Sequence, residues 1–169
     1  MSEEIQSLFA EAVVLRKQRR LTPSRELLRR LCDLEPRIKL IKYELATVYR
    51  ELGEYENSIK TSEAILALDS SFKAAHLQLV ATHLFFEKYR DGLAAAELAY
   101  RLFPDDQNIL KQYARALRFG EDLNSAKSQL MLLSDKYPKH CEIHNQLAIV
   151  LRELGEYENS IKTSEAILA

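Results

Sequence analysis

Eighteen consecutive residues, Arg50 to Ala67, recur letter for letter as Arg152 to Ala169. The two copies begin 102 residues apart, which is three times 34. Self-similarity at a fixed period of this size is typical of a fold built from one small unit that is stacked several times. The duplication therefore constrains the architecture more than any other feature of the chain.

Five series of residues keep the period of 34 along the chain. Two series hold small or compact residues, two hold large or apolar residues, and one holds proline with a single serine. The series are Ser24, Ser58, Gly92, Ala126 and Ser160; Ala12, Ala46, Val80, Ala114 and Ala148; Leu21, Tyr55, Tyr89, Leu123 and Tyr157; Leu31, Ile65, Ala99, Leu133 and Ile167; and Pro36, Ser70, Pro104 and Pro138. This register predicts a single domain, 1–169, with repeats at 5–38, 39–72, 73–106, 107–140 and an incomplete 141–169.

Within a unit the apolar residues follow the period of a helix. In the second unit one stripe consists of Ile41, Leu45, Val48 and Leu52. Gly53 then breaks the helix, and a second helix starts at Tyr55. Small residues on the period allow two antiparallel helices to approach closely. The pattern predicts ten helices in five pairs, and each pair must stack on its neighbour to bury its remaining apolar face.

The units resemble the tetratricopeptide repeat, a family of 34-residue helix pairs. The skeleton positions of the fourth unit hold Leu110, Tyr113, Ala114, Leu117, Ala126, Leu130 and Pro138, and those of the third hold His76, Leu79, Val80, His83, Gly92, Ala96 and Pro104. The resemblance implies an all-α fold, a right-handed α-solenoid of antiparallel helix pairs. It also implies a superhelix with a concave groove lined by the first helix of each pair.

That resemblance implies a non-catalytic scaffold that binds a peptide or protein segment in its groove. The predicted binding residues are the groove-lining positions of the first helices. They are Arg16, Tyr43, Arg50, Gln78, Leu84, Phe85, Lys111, Gln112, Arg115, Arg118, Asn145 and Arg152.

Four of these residues, Arg16, Arg50, Arg118 and Arg152, share one register, and Leu84 interrupts the row. Guanidinium groups bind carboxylates in a bidentate geometry, so the row favours an acidic partner. We expect the central Arg115 and Arg118, which lie beside Lys111, to contribute most. The alternative is that the arginines pair with nearby glutamates, Glu51 or Glu153, or are simply solvated.

Other functions have weaker support in the sequence. No nucleophile motif, phosphate-binding loop or zinc-protease motif appears, so we expect no enzyme, cofactor or small-molecule substrate. His140, Cys141 and His144 lie close together, but no second cluster supplies a fourth ligand, so we expect no metal. The basic segment 16–30 lacks aromatic residues that could stack on bases, which argues against nucleic acid.

The bulk properties agree with a protein-binding module. The formal net charge is −1, and no stretch is long and apolar enough for a membrane span. The chain opens with an acidic, polar segment, and its two cysteines form no disulfide framework, so we expect a cytoplasmic protein.

The copied text adds a second hypothesis. Its identity begins abruptly within a helix, which indicates recent recombination or deliberate engineering. Its last helix stops at Ala169, which leaves apolar residues such as Ile161 and Leu168 without the cover that Ile59 and Leu66 receive from residues 73–86. Residues 5–38 carry a net charge of +4 and residues 141–169 one of −3. The chain could therefore self-associate end to end as an assembly module, or serve as the recognition domain of a larger enzyme.

Overall fold

A computed structural model describes residues 2–165 of the chain. Over this range the fold consists of ten α-helices and contains no strand. The helices are α1 (Glu3–Lys17), α2 (Leu21–Leu34), α3 (Lys39–Glu51), α4 (Tyr55–Leu68), α5 (Lys73–Phe85), α6 (Tyr89–Leu102), α7 (Gln107–Gly120), α8 (Leu123–Lys136), α9 (Cys141–Glu153) and α10 (Tyr157–Glu165). The predicted all-α fold of helix pairs is confirmed.

The turns within the helix pairs keep the period of 34. Arg19, Gly53, Glu87 and Gly155 all have positive φ, at 62°, 82°, 57° and 79°. A left-handed residue after a helix ends it and reverses the chain, and glycine does this without steric cost. The fourth pair differs, because its first helix, α7, continues to Gly120. The Asp122 side chain then caps α8 by accepting hydrogen bonds from the backbone N–H groups of Asn124 and Ser125.

The chain divides into two compact units, and the division falls within α5, after Thr82. Unit 1 comprises residues 1–82. Its core is formed by apolar side chains of α1 to α3, which are at most 9% exposed: Ile5, Ala12, Leu28, Leu31, Ile41, Leu45, Val48 and Tyr49. Ile41, Leu45 and Val48 of the predicted stripe lie in this core, Leu52 packs against it partly buried, and Tyr49 is a core residue that the stripe did not include.

Unit 2 comprises residues 83–169, of which the structure describes 83–165. Its buried apolar side chains come from four helices, α6 to α9. The fully buried large ones are Ile109, Leu110, Leu117, Leu130, Ile143 and Val150. Among the described residues, no helix is both long and apolar enough to span a membrane.

Candidate functional site

The twelve predicted binding residues divide between the two units. Those in unit 1 lie on α1, α3 and α5, and we call them the inner face of unit 1: Arg16, Tyr43, Arg50 and Gln78. Those in unit 2 lie on α5, α7 and α9, and we call them the inner face of unit 2: Leu84, Phe85, Lys111, Gln112, Arg115, Arg118, Asn145 and Arg152.

Arg16 on α1 donates hydrogen bonds to two carboxylates of α3, the first helix of the second pair. Its Nε donates to Glu44 Oε2 at 3.0 Å, and its Nη1 donates to Glu51 Oε1 at 3.1 Å. Arg19 also donates to Glu51, at 3.3 Å. The positive charge of Arg16 is therefore already compensated within unit 1.

Arg118 repeats this arrangement in unit 2. Its Nη1 donates to Gln146 Oε1 at 3.4 Å, and its Nη2 donates to Glu153 Oε1 at 3.3 Å. These partners lie 102 residues beyond those of Arg16, so the two arginines contact the same two positions of the repeat. Gln146 stands in unit 2 where Glu44 stands in unit 1. The guanidinium also lies 4.5 Å from the centre of the Phe119 ring, which is stacked on Tyr89.

Arg50 has the same register but different surroundings. Its side chain is half-buried, and within residues 2–165 no ion pair joins it to a carboxylate. Burial lowers the pKa of its guanidinium below the usual value, and nearby Tyr43 and Glu51 raise it in part. The period explains the missing partner. One repeat after Glu44 and Glu51, the chain holds Gln78 and Phe85, which carry no charge.

Gln78 presents an unused donor on the same inner face. Its side chain is 3% exposed, and its Oε1 lies 3.5 Å from Thr47 Oγ1, which also donates to the carbonyl of Tyr43 at 3.0 Å. The Nε2 group of Gln78 is buried and donates no hydrogen bond. A buried donor without an acceptor costs about 1–3 kcal/mol, so a ligand or local rearrangement that supplies an acceptor is favoured.

The remaining residues of the inner face of unit 2 are mostly accessible. Phe85 is 63% exposed and lies edge-to-face with Phe86, with 5.1 Å between the ring centres. Arg115 and Gln112 are half-buried, and the Oε1 of Gln112 accepts no hydrogen bond. Leu84 is half-buried, whereas Lys111, Asn145 and Arg152 are exposed.

Part of the basic segment 16–30 forms contacts between helix pairs, through Arg16, Arg19 and Arg25. Arg25 donates to Glu54 Oε1 at 2.6 Å, and Asn57 donates to the same carboxylate at 2.7 Å. Desolvation raises the pKa of Glu54, but the hydrogen bonds from Asn57 and Arg25 outweigh it and lower the pKa overall. In unit 2, Lys127 donates to Glu156 at 2.6 Å. Sequence reasoning missed these pairs, although a cation stands 29 residues before the glutamate in both copies.

The histidines near Cys141 have backbone partners. His140 Nε2 lies 3.1 Å from the Gln107 carbonyl, and His144 Nε2 lies 2.9 Å from the Pro138 carbonyl. No group of three metal-ligating side chains occurs among the described residues.

Residues 41–72, the second helix pair, match the tetratricopeptide repeat family. The match places a tetratricopeptide repeat at the second helix pair. A relative from Bacillus subtilis (strain 168), the TPR repeat-containing protein YvcD, is 22% identical over 97% of this chain. The chain spans only 40% of the length of that relative.

Solved structures of tetratricopeptide-repeat proteins share the fold. MamA (residues 41 to the end) from Desulfovibrio magneticus RS-1 has a TM-score of 0.78 at 14% identity, and the match covers 99% of this chain and 95% of that one. YrrB, described as a TPR protein with an unusual peptide-binding site, has a TM-score of 0.67 at 16% identity and covers 95% and 83%. A tetratricopeptide-repeat fold is in general a scaffold for protein–protein interaction, which supports the functional prediction at that coarse level.

Proposed function

We propose that the chain binds an acidic peptide or protein segment on its inner faces and that Arg50 is the main anchor in unit 1. The observation that carries this proposal is the half-buried guanidinium of Arg50, which forms no ion pair with a carboxylate of the described residues. A carboxylate that binds there meets a cation already removed from much of its water, so less desolvation remains to be overcome on binding. The unpaired Nε2 donor of Gln78 is buried on the same face, so a ligand reaches it only when this side chain moves.

The other arginines of the row differ in their capacity for such a ligand. Arg16 and Arg118 already donate to glutamates, so an external carboxylate would have to compete with Glu44, Glu51 or Glu153. In unit 2, Arg115 has no ion pair among the described residues, and Lys111 and Arg152 are exposed. We therefore expect Arg115 to contribute more than Arg118, which refines the expectation drawn from the arginine register.

The test uses a short fluorescein-labelled peptide of alternating Glu and Gly, compared with the same peptide in which Gln replaces Glu. Fluorescence anisotropy should show binding of the Glu peptide alone, and the affinity should fall as sodium chloride screens the charges. Arg50→Ala should weaken binding by about tenfold or more, because hydrogen bonds to charged groups contribute about 1.5–3 kcal/mol.

Arg90→Ala is the matched control, since Arg90 is an exposed arginine on α6, outside both inner faces. Arg50→Lys separates charge from geometry: it keeps the charge and loses the fork of the guanidinium. Equal affinities of Arg50→Ala and Arg90→Ala, or equal binding of the Glu and Gln peptides, would refute the proposal.

A further inference from the structure

The two copies of the duplicated segment, 50–67 and 152–169, have the same sequence, but their side chains differ in solvent exposure. Ser62 in α4 is completely buried, whereas Ser164, its copy in α10, is exposed. Ile59 is half-buried, whereas its copy Ile161 is 59% exposed. Since the sequence is identical, the difference must come from the neighbours of each copy.

Tyrosine at the start of each copied helix shows the same difference. Tyr55 is half-buried, whereas Tyr157 is 66% exposed. Three exposed side chains of α10 share one side of the helix, which we call the α10 face: Tyr157, Ile161 and Ser164 around the half-buried Ser160. The copy of Leu66, Leu168, lies outside the described residues.

In unit 1 the structure shows what lies against the first copy. Thr82 of α5 contacts α4, since its Oγ1 lies 3.1 Å from Ser58 Oγ and both side chains are fully buried. Ser58 has a single hydroxyl proton, which it donates to the carbonyl of Ala46 at 2.9 Å. Thr82 must therefore donate to Ser58, and α5 supplies a hydroxyl donor to that site.

Ser160 repeats the first half of this arrangement. It donates to the carbonyl of Ala148 at 2.7 Å, as Ser58 does to Ala46. The hydroxyl proton of Ser160 is thus used, and its oxygen can still accept. A helix that docks on the α10 face is recognised by apolar contacts with Ile161 and by a donor aimed at Ser160.

We propose that the α10 face is a docking surface for a partner helix with the chemistry of α5. That chemistry is a mainly apolar helix with a threonine at the position of Thr82. Charge supports the choice: residues 141–165 contain two Lys or Arg and five Asp or Glu, whereas α5 has one Lys and no acidic residue. The inference does not depend on the acidic ligand of the inner faces, because it uses a different surface and an apolar, weakly basic partner.

The test uses a fluorescein-labelled synthetic peptide with the sequence of residues 73–85 and the full chain of 169 residues. Anisotropy should show saturable binding, and circular dichroism should show added helix on mixing. Replacing the threonine of the peptide by valine should lower the affinity by about tenfold, which corresponds to the loss of one hydrogen bond to a buried acceptor.

Ile161→Asp should abolish binding, because it places a charge in the centre of the α10 face. Ile161 is largely exposed, so this variant keeps the fold. Lys162→Gln is the matched control: it changes the net charge by the same amount at the next residue, whose side chain lines a cleft with Lys127 and Met131 instead. Equal affinities of the two variants would overturn the proposal.

A second control extends the chain after Ala169 with a copy of residues 68–85. The extension should cover the α10 face from within the molecule and prevent the peptide from binding. Peptide binding that survives the extension would show that the peptide binds elsewhere and would overturn the proposal. Sedimentation at several concentrations gives the remaining outcome: a dimer that Ile161→Asp dissociates and the peptide does not would assign the face to a second copy of the chain, again against the proposal.

Discussion

Ser24 Oγ donates a hydrogen bond of 2.8 Å to the main-chain carbonyl of Ala12, across the helix pair α1 and α2. Two further pairs repeat this bond at the same spacing, from Ser58 and from Ser160. The small-residue series therefore does more than leave room for close helices. In three of the five pairs it also ties the second helix to the backbone of the first.

Ser24→Ala should lower the free energy of unfolding by about 1 kcal/mol, because one buried hydrogen bond is lost without a change in packing. The matched control is Ser128→Ala, whose exposed hydroxyl donates within its own helix to the Asn124 carbonyl. That change should stay within about 0.5 kcal/mol. Urea denaturation of the two variants measures the difference, and indistinguishable midpoints would show that the bond to Ala12 contributes nothing.

Gly120→Ala should destabilise unit 2 more than Gly92→Ala. A Cβ at Gly120 would lie 2.7 Å from Leu93 Cβ and 2.9 Å from the Tyr89 carbonyl oxygen, and neither atom can move without shifting α6. At Gly92 the nearest atom is Leu84 Cδ2 at 3.0 Å, the far end of a side chain that can rotate. Overpacking of this kind costs about 1–3 kcal/mol. Thermal unfolding of both variants tests the order, and a larger loss for Gly92→Ala would contradict it.

The left-handed turns give a third prediction. Gly53→Ala should cost about 1 kcal/mol, because φ is +82° while a Cβ there would meet nothing within 4 Å, so the whole cost is backbone strain. Glu87→Gly should leave the free energy of unfolding unchanged or raise it. Glycine relieves the strain of a φ of 57°, and the larger conformational freedom of the unfolded chain offsets part of that gain. Chemical denaturation measures both. A stabilising Gly53→Ala variant would rule out this account of the turn.

Acid stability should depend on Asp69. The hydrogen bond from Lys39, followed by those from Ser71, lowers the pKa of Asp69 to about 2. Because the folded pKa lies below the unfolded value of about 3.9, this carboxylate stabilises the fold fully above that value, and the contribution is lost as the pH falls towards the folded pKa. Asp69→Asn should therefore flatten the fall in unfolding free energy over that acidic interval. An unchanged pH profile in Asp69→Asn would mean that the Lys39 contact does not persist in solution.

The period of 34 alone predicted most of the fold. The period of 34 predicted ten helices, and the break at Gly53 predicted the position of a turn that recurs at Arg19, Glu87 and Gly155. These features follow from local chemistry, which repeats with the sequence. Gly120 was missed because it lies off every periodic series: only in the fourth pair does the first helix continue into the turn and bring its last residue against α6.

The candidate site was less accessible to sequence reasoning. The arginine register was visible, but whether each arginine finds a carboxylate depends on how far its side chain reaches across to the next helix. Arg16 reaches Glu44 and Glu51, whereas Arg50 meets a repeat in which both positions are uncharged. Burial of the Gln78 amide likewise depends on packing between pairs, which no single helix specifies. The binding residues themselves remain predictions.

The copied segment also provides an internal reference for amide hydrogen exchange. Intrinsic exchange rates depend on the local sequence, so corresponding amides in α4 and α10, such as those of Ile59 and Ile161, have the same rate in the open state. The ratio of their protection factors therefore gives the difference in the free energy of local opening between α4 and α10, and no unfolded reference is needed. In one molecule, that ratio reports the coupling free energy that a following helix contributes to the pair before it.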